Sequence, residues 1–259
     1  MSHIEPDPRM TPNSHPLSDE WRASGVVDVC SVDLGWKRPS VPPAVLIAYD
    51  VEAFDVEAFE RLGVAMPEHI GRSVRKRQAE FLMGRLAARE AMGGAVTIGI
   101  GDMRQPIWPH GMVGSITHAG RYAAAVVAEA PRAVASDGIH GIGIDIERRI
   151  APETRESVEA TVVTAAEQSF LRTMDAELPY DMLLTLAFSA KESFFKGSFA
   201  SVGAYFDFDA VELVALDTSA GMLELVLTRS LAPALPQGRR YTLRTQCLDA
   251  DTVLTSFVW

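Results

Sequence analysis

The sequence predicts an α+β fold, and three observations lead to it. Helical periodicity is confined to a few long segments, at residues 72–92, 155–174 and 179–199. Strand-like runs gather in the last third, at 210–214, 223–227, 241–244 and 253–259, joined by turns short enough for antiparallel neighbours. Residues 141–147, Gly-Ile-Gly-Ile-Asp-Ile-Glu, alternate strictly. Ile142, Ile144 and Ile146 fall on one side of a strand, and Gly143, Asp145 and Glu147 on the other.

Residues 1–42 are rich in proline, serine and charge and read as a mobile lead-in closed by Pro42-Pro43. Residues 45–49 then read as a strand. The helix at 72–92 carries Arg72, Arg75, Lys76, Arg77, Arg85 and Arg89, and Gly93-Gly94 stops it. Residues 113–128 hold two short strands that break near His118-Ala119-Gly120. A turn-rich stretch at 130–141 is the expected seam, which divides the chain into a lead-in (1–42), an N-terminal half (43–137) and a C-terminal half (138–259).

The chain has 259 residues, enough for one large or two small domains, and a formal net charge of −10. That charge argues against a nucleic-acid binder. No apolar run approaches bilayer length, and the N-terminus lacks the pattern of a secretory signal, so no membrane association is expected. Cys30 and Cys247 fit neither a metal site nor a disulfide framework and read as reduced thiols of a cytoplasmic protein.

Asp145 and Glu147 lie two apart on a strand, so their carboxylates share a face and repel unless a cation lies between them. Oxygen-only ligands suit Mg²⁺. An isolated Asp-x-Glu is a common tripeptide and by itself reads as a solvated edge strand with ordinary charges on its wet face. The helix at 188–199 adds a third carboxylate: Phe188, Glu192, Phe195 and Phe199 form one stripe, read here as facing inward. Lys191 and Lys196 flank Glu192; an intrahelical Glu192–Lys196 salt bridge is the plainer account, and a metal ligand among phosphate-binding lysines the sharper one. Arg77, Phe81, Arg85 and Arg89 form a basic stripe on the earlier helix, suited to phosphate. Residues 114–118, Gly-Ser-Ile-Thr-His, bring Thr117 and His118 to the end of a strand.

The order of these segments resembles that of the 4′-phosphopantetheinyl transferases. It runs from the basic helix through Gln-Pro-Ile-Trp-Pro-x-Gly-x-x-Gly-Ser-Ile-Thr-His and Gly-Ile-Asp-Ile-Glu to Phe-Ser-Ala-Lys-Glu-Ser-x-x-Lys. The chain looks most like the surfactin-type group and its enterobactin synthase component D branch. The likeness covers roughly residues 65–210. It implies two similar α+β halves related by a pseudo-twofold axis, with coenzyme A in the cleft between them. It further implies transfer of phosphopantetheine from coenzyme A to a serine of an apo acyl or peptidyl carrier protein, leaving adenosine 3′,5′-bisphosphate. Asp145, Glu147 and Glu192 match the ligands of Mg²⁺, or Mn²⁺ in its place. Lys191 and Lys196 match the lysines of the Lys-Glu-x-x-x-Lys signature. Thr117, His118, Arg77 and Arg85 match contacts to the 3′-phosphate end, and Glu167 matches a second base found in some members. Phe188 replaces a common tryptophan. Where many members carry a lysine just before the Pro-x-Trp-Pro stretch, this chain offers Arg104 or no residue.

On this reading Glu192 takes the serine proton, Lys196 and Asp145 serve the transfer, and the enzyme acts as a monomer. Phe195, Phe199, Tyr205, Phe206 and Phe208 are candidates for apolar contact with the carrier. Two other readings use the same residues: a Mg²⁺-dependent hydrolase of nucleotide pyrophosphates, and a non-catalytic coenzyme A binding module.

Overall fold

The computed structural model describes residues 10–12, 17–94, 96, 98–131, 138–174 and 177–259. The chain forms two compact units, Met1–Glu129 and Ala130–Trp259. The sequence reading set its boundary between residues 137 and 138, within a turn-rich stretch of which 132–137 lie outside the described residues.

The first unit holds strands β1 (Met10–Pro12), β2 (Val26–Val32) and β3 (Ala44–Tyr49), and helices α1 (Asp19–Ala23), α2 (Ala58–Arg61), α3 (Glu68–Gly71) and α4 (Arg75–Ala91). A small hairpin of β4 (Gly99–Ile100) and β5 (Pro106–Ile107) precedes β6 (Met112–Ala119) and β7 (Tyr122–Glu129). The main sheet is antiparallel, in the order β1-β2-β3-β7-β6. Helix α4 lies on β3, β6 and β7 and buries Leu82, Met83 and Leu86 with Ile47, Ala123 and Ala125. It ends where expected, because Gly93 and Gly94 take left-handed backbone (φ 74° and 91°) that residues with a side chain resist.

One expectation is corrected here. Residues 1–42 were read as a mobile lead-in, but β2 is an internal strand of the sheet with Val26, Val29 and Val32 buried. Alternating apolar positions in a short, proline-flanked stretch are a weak signal. Residues 1–9 and 13–16 lie outside the described residues.

The second unit holds β8 (Ile142–Arg148), α5 (Arg155–Val162), α6 (Ala165–Thr173), α7 (Tyr180–Val202), and β9 (Val211–Asp217), β10 (Met222–Leu227), β11 (Arg240–Asp249) and β12 (Thr252–Val258). Its antiparallel sheet runs β8-β12-β11-β10-β9, so β8 is an end strand that pairs with β12. The single helix expected over 155–174 is two helices. Thr164 caps α6 and accepts from the Glu167 N–H, while Glu167 Oε2 accepts from the Thr164 N–H. A common plan underlies both units. In each unit the last strand pairs antiparallel with a strand that precedes the long helix: β7 with β3, the third strand of its unit, and β12 with β8, the first of its unit.

Two features fix α7. The first is a close approach to the sheet. A Cβ on Gly143 would stand 1.9 Å from the Ser193 carbonyl oxygen, and one on Gly197 2.7 Å from the Phe257 ring. Across the same seam the Ser189 hydroxyl donates to the Asp145 carbonyl (3.2 Å), and both Ser189 and Ser193 bond the Thr255 hydroxyl (2.9 and 2.7 Å). The second is a fully buried ion pair, Lys191 Nζ to Glu167 Oε1 at 2.7 Å. Lys191 also donates to the carbonyls of Val162 (2.8 Å) and Phe208 (3.3 Å), and Glu167 accepts from the Leu213 N–H (2.7 Å). Burial pushes the Lys191 ammonium below the ordinary lysine range, and Glu167 opposes that.

Gly143→Ala is expected to lower stability by roughly 1–3 kcal/mol in urea unfolding, because backbone atoms must give way. Lys191→Met is expected to cost about 3–5 kcal/mol by leaving Glu167 charged and unpaired in the core, and adding Glu167→Gln should recover part of the loss.

Candidate functional site

In the first unit, α4 and β6 wall a cavity of about 340 Å³ together with the β4–β5 hairpin. Gly84 lets the strand come close, since a Cβ there would meet Ile116 at 2.8 Å. Of the cations that crowd α4, the structure sends two to this cavity, Arg77 and Arg85. Of the others, Arg75 donates to the Phe54 carbonyl (2.9 Å), Arg89 donates to the Leu62 carbonyl (2.6 Å), Arg72 pairs with Glu68, and Lys76 lies 3.9 Å from Glu80.

Arg85 is buried over the Phe81 ring, 5.0 Å from its centroid, and its Nε has no hydrogen-bond partner among the described residues. Burial, with Arg77 nearby, pushes its guanidinium down to about 10. A buried cation with an unused donor is costly unless an anion completes it. Arg77 Nη1 lies 2.8 Å from His118 Nε2. Glu80, which the sequence offers only as a balance to the basic face, stands 3.4 Å from Arg77 and 3.7 Å from His118 Nδ1. Helical spacing from Arg77 and Phe81 puts it near that stripe, but a lone glutamate among arginines reads as charge balance.

Thr117 is not part of this cavity. It is 3% exposed, and strand alternation turns its side chain to the face opposite Ile116 and His118.

In the second unit the carboxylates and Lys196 meet where α7 crosses β8. Lys196 Nζ is 2.5 Å from Asp145 Oδ1, and Asp145 is buried. Burial alone would lower the Lys196 ammonium, but Asp145, Glu192 and Glu147 hold it above the ordinary lysine range. Burial raises Glu147 to about 8, reinforced by Asp145 and Glu192 and opposed by Lys196. Burial also raises Glu192, with Asp145 adding to the effect and Lys196 opposing it.

Several expectations change. Phe188, Glu192, Phe195 and Phe199 are the half-buried stripe of α7; its core-facing side carries Leu183, Ala187, Ala190 and Phe194 instead. The face of β8 bearing Asp145 and Gly143 is the one α7 covers, and the isoleucine face is buried as well. Hence the carboxylates do not lie on a wet face. Lys191 is not a free phosphate ligand, because its donors are spent on Glu167 and two carbonyls. Glu167 is held in the same buried network. Lys196 replaces the expected Glu192–Lys196 helix pair with a bond to Asp145.

Among the described residues no three His, Cys, Asp or Glu side chains are gathered closely enough to form a ready metal site. The expected set of Asp145, Glu147 and Glu192 is thus not preassembled, and Lys196 holds Asp145 Oδ1. Their chemistry nonetheless fits a hard divalent cation. The donors are all oxygen, and burial, with Asp145 adding to it, makes Glu147 and Glu192 resist ionisation while no cation is present. Mg²⁺ commonly takes only one or two carboxylates and completes its shell with substrate phosphates and water.

Beside Glu192, a smaller cavity of about 260 Å³ is lined by Phe195, Tyr205, Phe206 and Phe208. Tyr205 is 65% exposed and stacks on Phe195 at 5.7 Å.

Comparison with known proteins identifies the family. The model of the 4′-phosphopantetheinyl transferase N-terminal domain matches residues 66–128, and that of the 4′-phosphopantetheinyl transferase superfamily matches 141–244. Enterobactin synthase component D of Salmonella typhimurium is 32% identical over 79% of this chain and 82% of its own length. The protein of the same name from Salmonella typhi is 34% identical over 67% and 71%. The 4′-phosphopantetheinyl transferase Npt of Nocardia iowensis is 36% identical over 56% and 63%. With the basic cavity and the Asp145–Lys196 cluster both inside the matched segments, the chain belongs to the 4′-phosphopantetheinyl transferase superfamily.

Proposed function

We propose that this transferase moves the 4′-phosphopantetheine group of coenzyme A onto a serine of an apo acyl or peptidyl carrier protein, with Mg²⁺ as cofactor. The observation that carries the coenzyme A reading is Arg85, a buried guanidinium with an unused Nε in a cavity that Arg77 and His118 also line. A phosphomonoester would supply the missing acceptor.

Arg77, Arg85 and His118 bind the 3′-phosphate. Lys196, kept protonated by its carboxylate neighbours, donates to the pyrophosphate as charge builds on the leaving side. The serine oxygen bonds to the phosphorus that carries pantetheine, and the pyrophosphate P–O bond breaks to release adenosine 3′,5′-bisphosphate. The serine proton passes to Glu192, directly or through a bound water. Asp145, Glu147 and Glu192 would hold the cation, which supplies positive charge against the pyrophosphate. The aromatic cavity beside Glu192 offers apolar contact to the carrier. An acidic chain of net charge −10 would otherwise repel an acidic partner. The reaction suits a cytoplasmic monomer.

Incubation with coenzyme A, Mg²⁺ and a panel of apo carrier proteins, read by intact mass, is expected to add one phosphopantetheine to at least one carrier. Chelation should abolish the gain and added Mg²⁺ restore it. A panel with no mass gain overturns the transfer, and release of the bisphosphate without any carrier points to hydrolysis instead. Glu192→Gln is expected to lower kcat by roughly 10²–10⁴ at saturating Mg²⁺; near-normal turnover would remove Glu192 as the base.

A further inference from the structure

The cavity suited to a dianion carries a carboxylate in its own wall. Glu80 lines it together with Arg77, Arg85 and His118, and is the sole acid among the described residues that do so. Its side chain is 13% exposed, whereas Lys76 and Arg77 beside it on α4 stand open to solvent. A glutamate that only balanced a basic face could stay in water and avoid the cost of desolvation. Held in the wall, its charge opposes any anion that enters. Such a residue weakens the site unless it strengthens a group that touches the ligand.

His118 is placed to be that group. Glu80 Oε2 stands 3.7 Å from His118 Nδ1 and 3.4 Å from Arg77 Nη1. At the other edge of the ring, Arg77 Nη1 lies 2.8 Å from Nε2. A guanidinium only donates, so Nε2 accepts, and the neutral ring carries its proton on Nδ1, the edge that faces Glu80. An incoming phosphate takes over the Arg77 fork and leaves Nε2 facing an anion. Moving the ring proton to Nε2 would turn the Nδ1 lone pair onto the Glu80 carboxylate. Adding a proton from solvent to Nε2 instead makes both edges donors, one toward the phosphate and one toward Glu80.

The remaining neighbours do not assist a charged ring. Arg77 and Arg85 on α4, His69 on α3 and Arg104 on the hairpin line the same cavity and are cations or can become so, and Lys76 lies 3.9 Å from Glu80. Strand β7 sets Ala123 opposite His118. Tyr49, at the end of β3, keeps its proton, because burial raises its hydroxyl and the Glu80 charge adds to that.

We infer that Glu80 is a positioning residue that makes His118 bind the phosphomonoester as an imidazolium, so that coenzyme A enters together with a proton. This rests on the coenzyme A reading and adds proton uptake to it. The affinity gained is present at low pH and is lost as pH rises through the point where the bound ring gives up its proton.

The test is calorimetric titration of coenzyme A and 3′-dephospho-coenzyme A, without carrier, into wild type, Glu80→Gln and His118→Gln, in buffers of different ionisation heat. At about pH 7.5, wild type is expected to take up about one proton with coenzyme A and none with the dephospho form. Glu80→Gln should take up none there and bind coenzyme A roughly 10-fold more weakly, the loss of a charge-assisted hydrogen bond. At about pH 5.5, where the ring protonates unaided, Glu80→Gln should match or exceed wild type. His118→Gln should abolish the uptake with Glu80 still in place. Tighter binding by Glu80→Gln at both pH values reduces Glu80 to an opposing charge and overturns the inference. An equal loss at both, with uptake retained, shows a purely structural role and overturns it as well. Uptake that survives in His118→Gln removes the imidazole as the group that gains the proton, and equal uptake with both ligands removes the phosphomonoester. A wild type that binds neither ligand overturns the coenzyme A reading itself.

Discussion

The close approach of α7 to β8 is the constraint on which the second unit depends. Gly143 on the strand and Gly197 on the helix have no side chains, and backbone meets backbone there at distances no Cβ could share. Ser189, Ser193 and Thr255 satisfy one another inside the seam, so the contact buries no idle hydroxyl among them. With the axis so near the sheet, Lys196 reaches Asp145 directly, and Glu147 and Glu192 come within range of the same ammonium. One further methyl group at the seam would force the helix and strand backbones apart.

The two units meet a shared electrostatic problem in opposite ways. In the second, acidic groups gather around a single lysine, and burial, with Asp145 adding to it, raises the affinity of Glu147 and Glu192 for protons. In the first, Arg77 and His118 gather at Glu80, while burial, with Arg77 adding to it, depresses Arg85. Both arrangements hold charge that the protein itself leaves unbalanced. Such imbalance is expected at a binding site and costly elsewhere.

Much of this was legible in the sequence because local rules sufficed. The alternation at 141–147, the basic helix with its Gly93-Gly94 stop, and the strand runs of the last third all became the elements expected. Arg77, Arg85 and His118 do converge. Where the reading failed, the deciding interaction was long-range. Helical spacing places Glu192 and the phenylalanines on one stripe but cannot say which stripe faces the sheet; Gly197 and Ser193 decided that. Lys191 looks like Lys196 in sequence, yet Glu167, from another helix, claims it. Thr117 differs from His118 by one residue and therefore by one face. Strand β2 was hidden because its flanks resemble those of a disordered tail.

The pairing of β8 with β12 has a consequence for how the site comes into being. Asp145 sits on an end strand whose partner in the sheet is the last strand of the unit. During synthesis the residues of β8 emerge long before those of β12, and in the interval the strand has no neighbour to hold its register. The acidic cluster is therefore among the last features the unit can form, after helices whose contacts are local. A chain interrupted upstream of β12 could carry every one of these charged residues and still assemble no site.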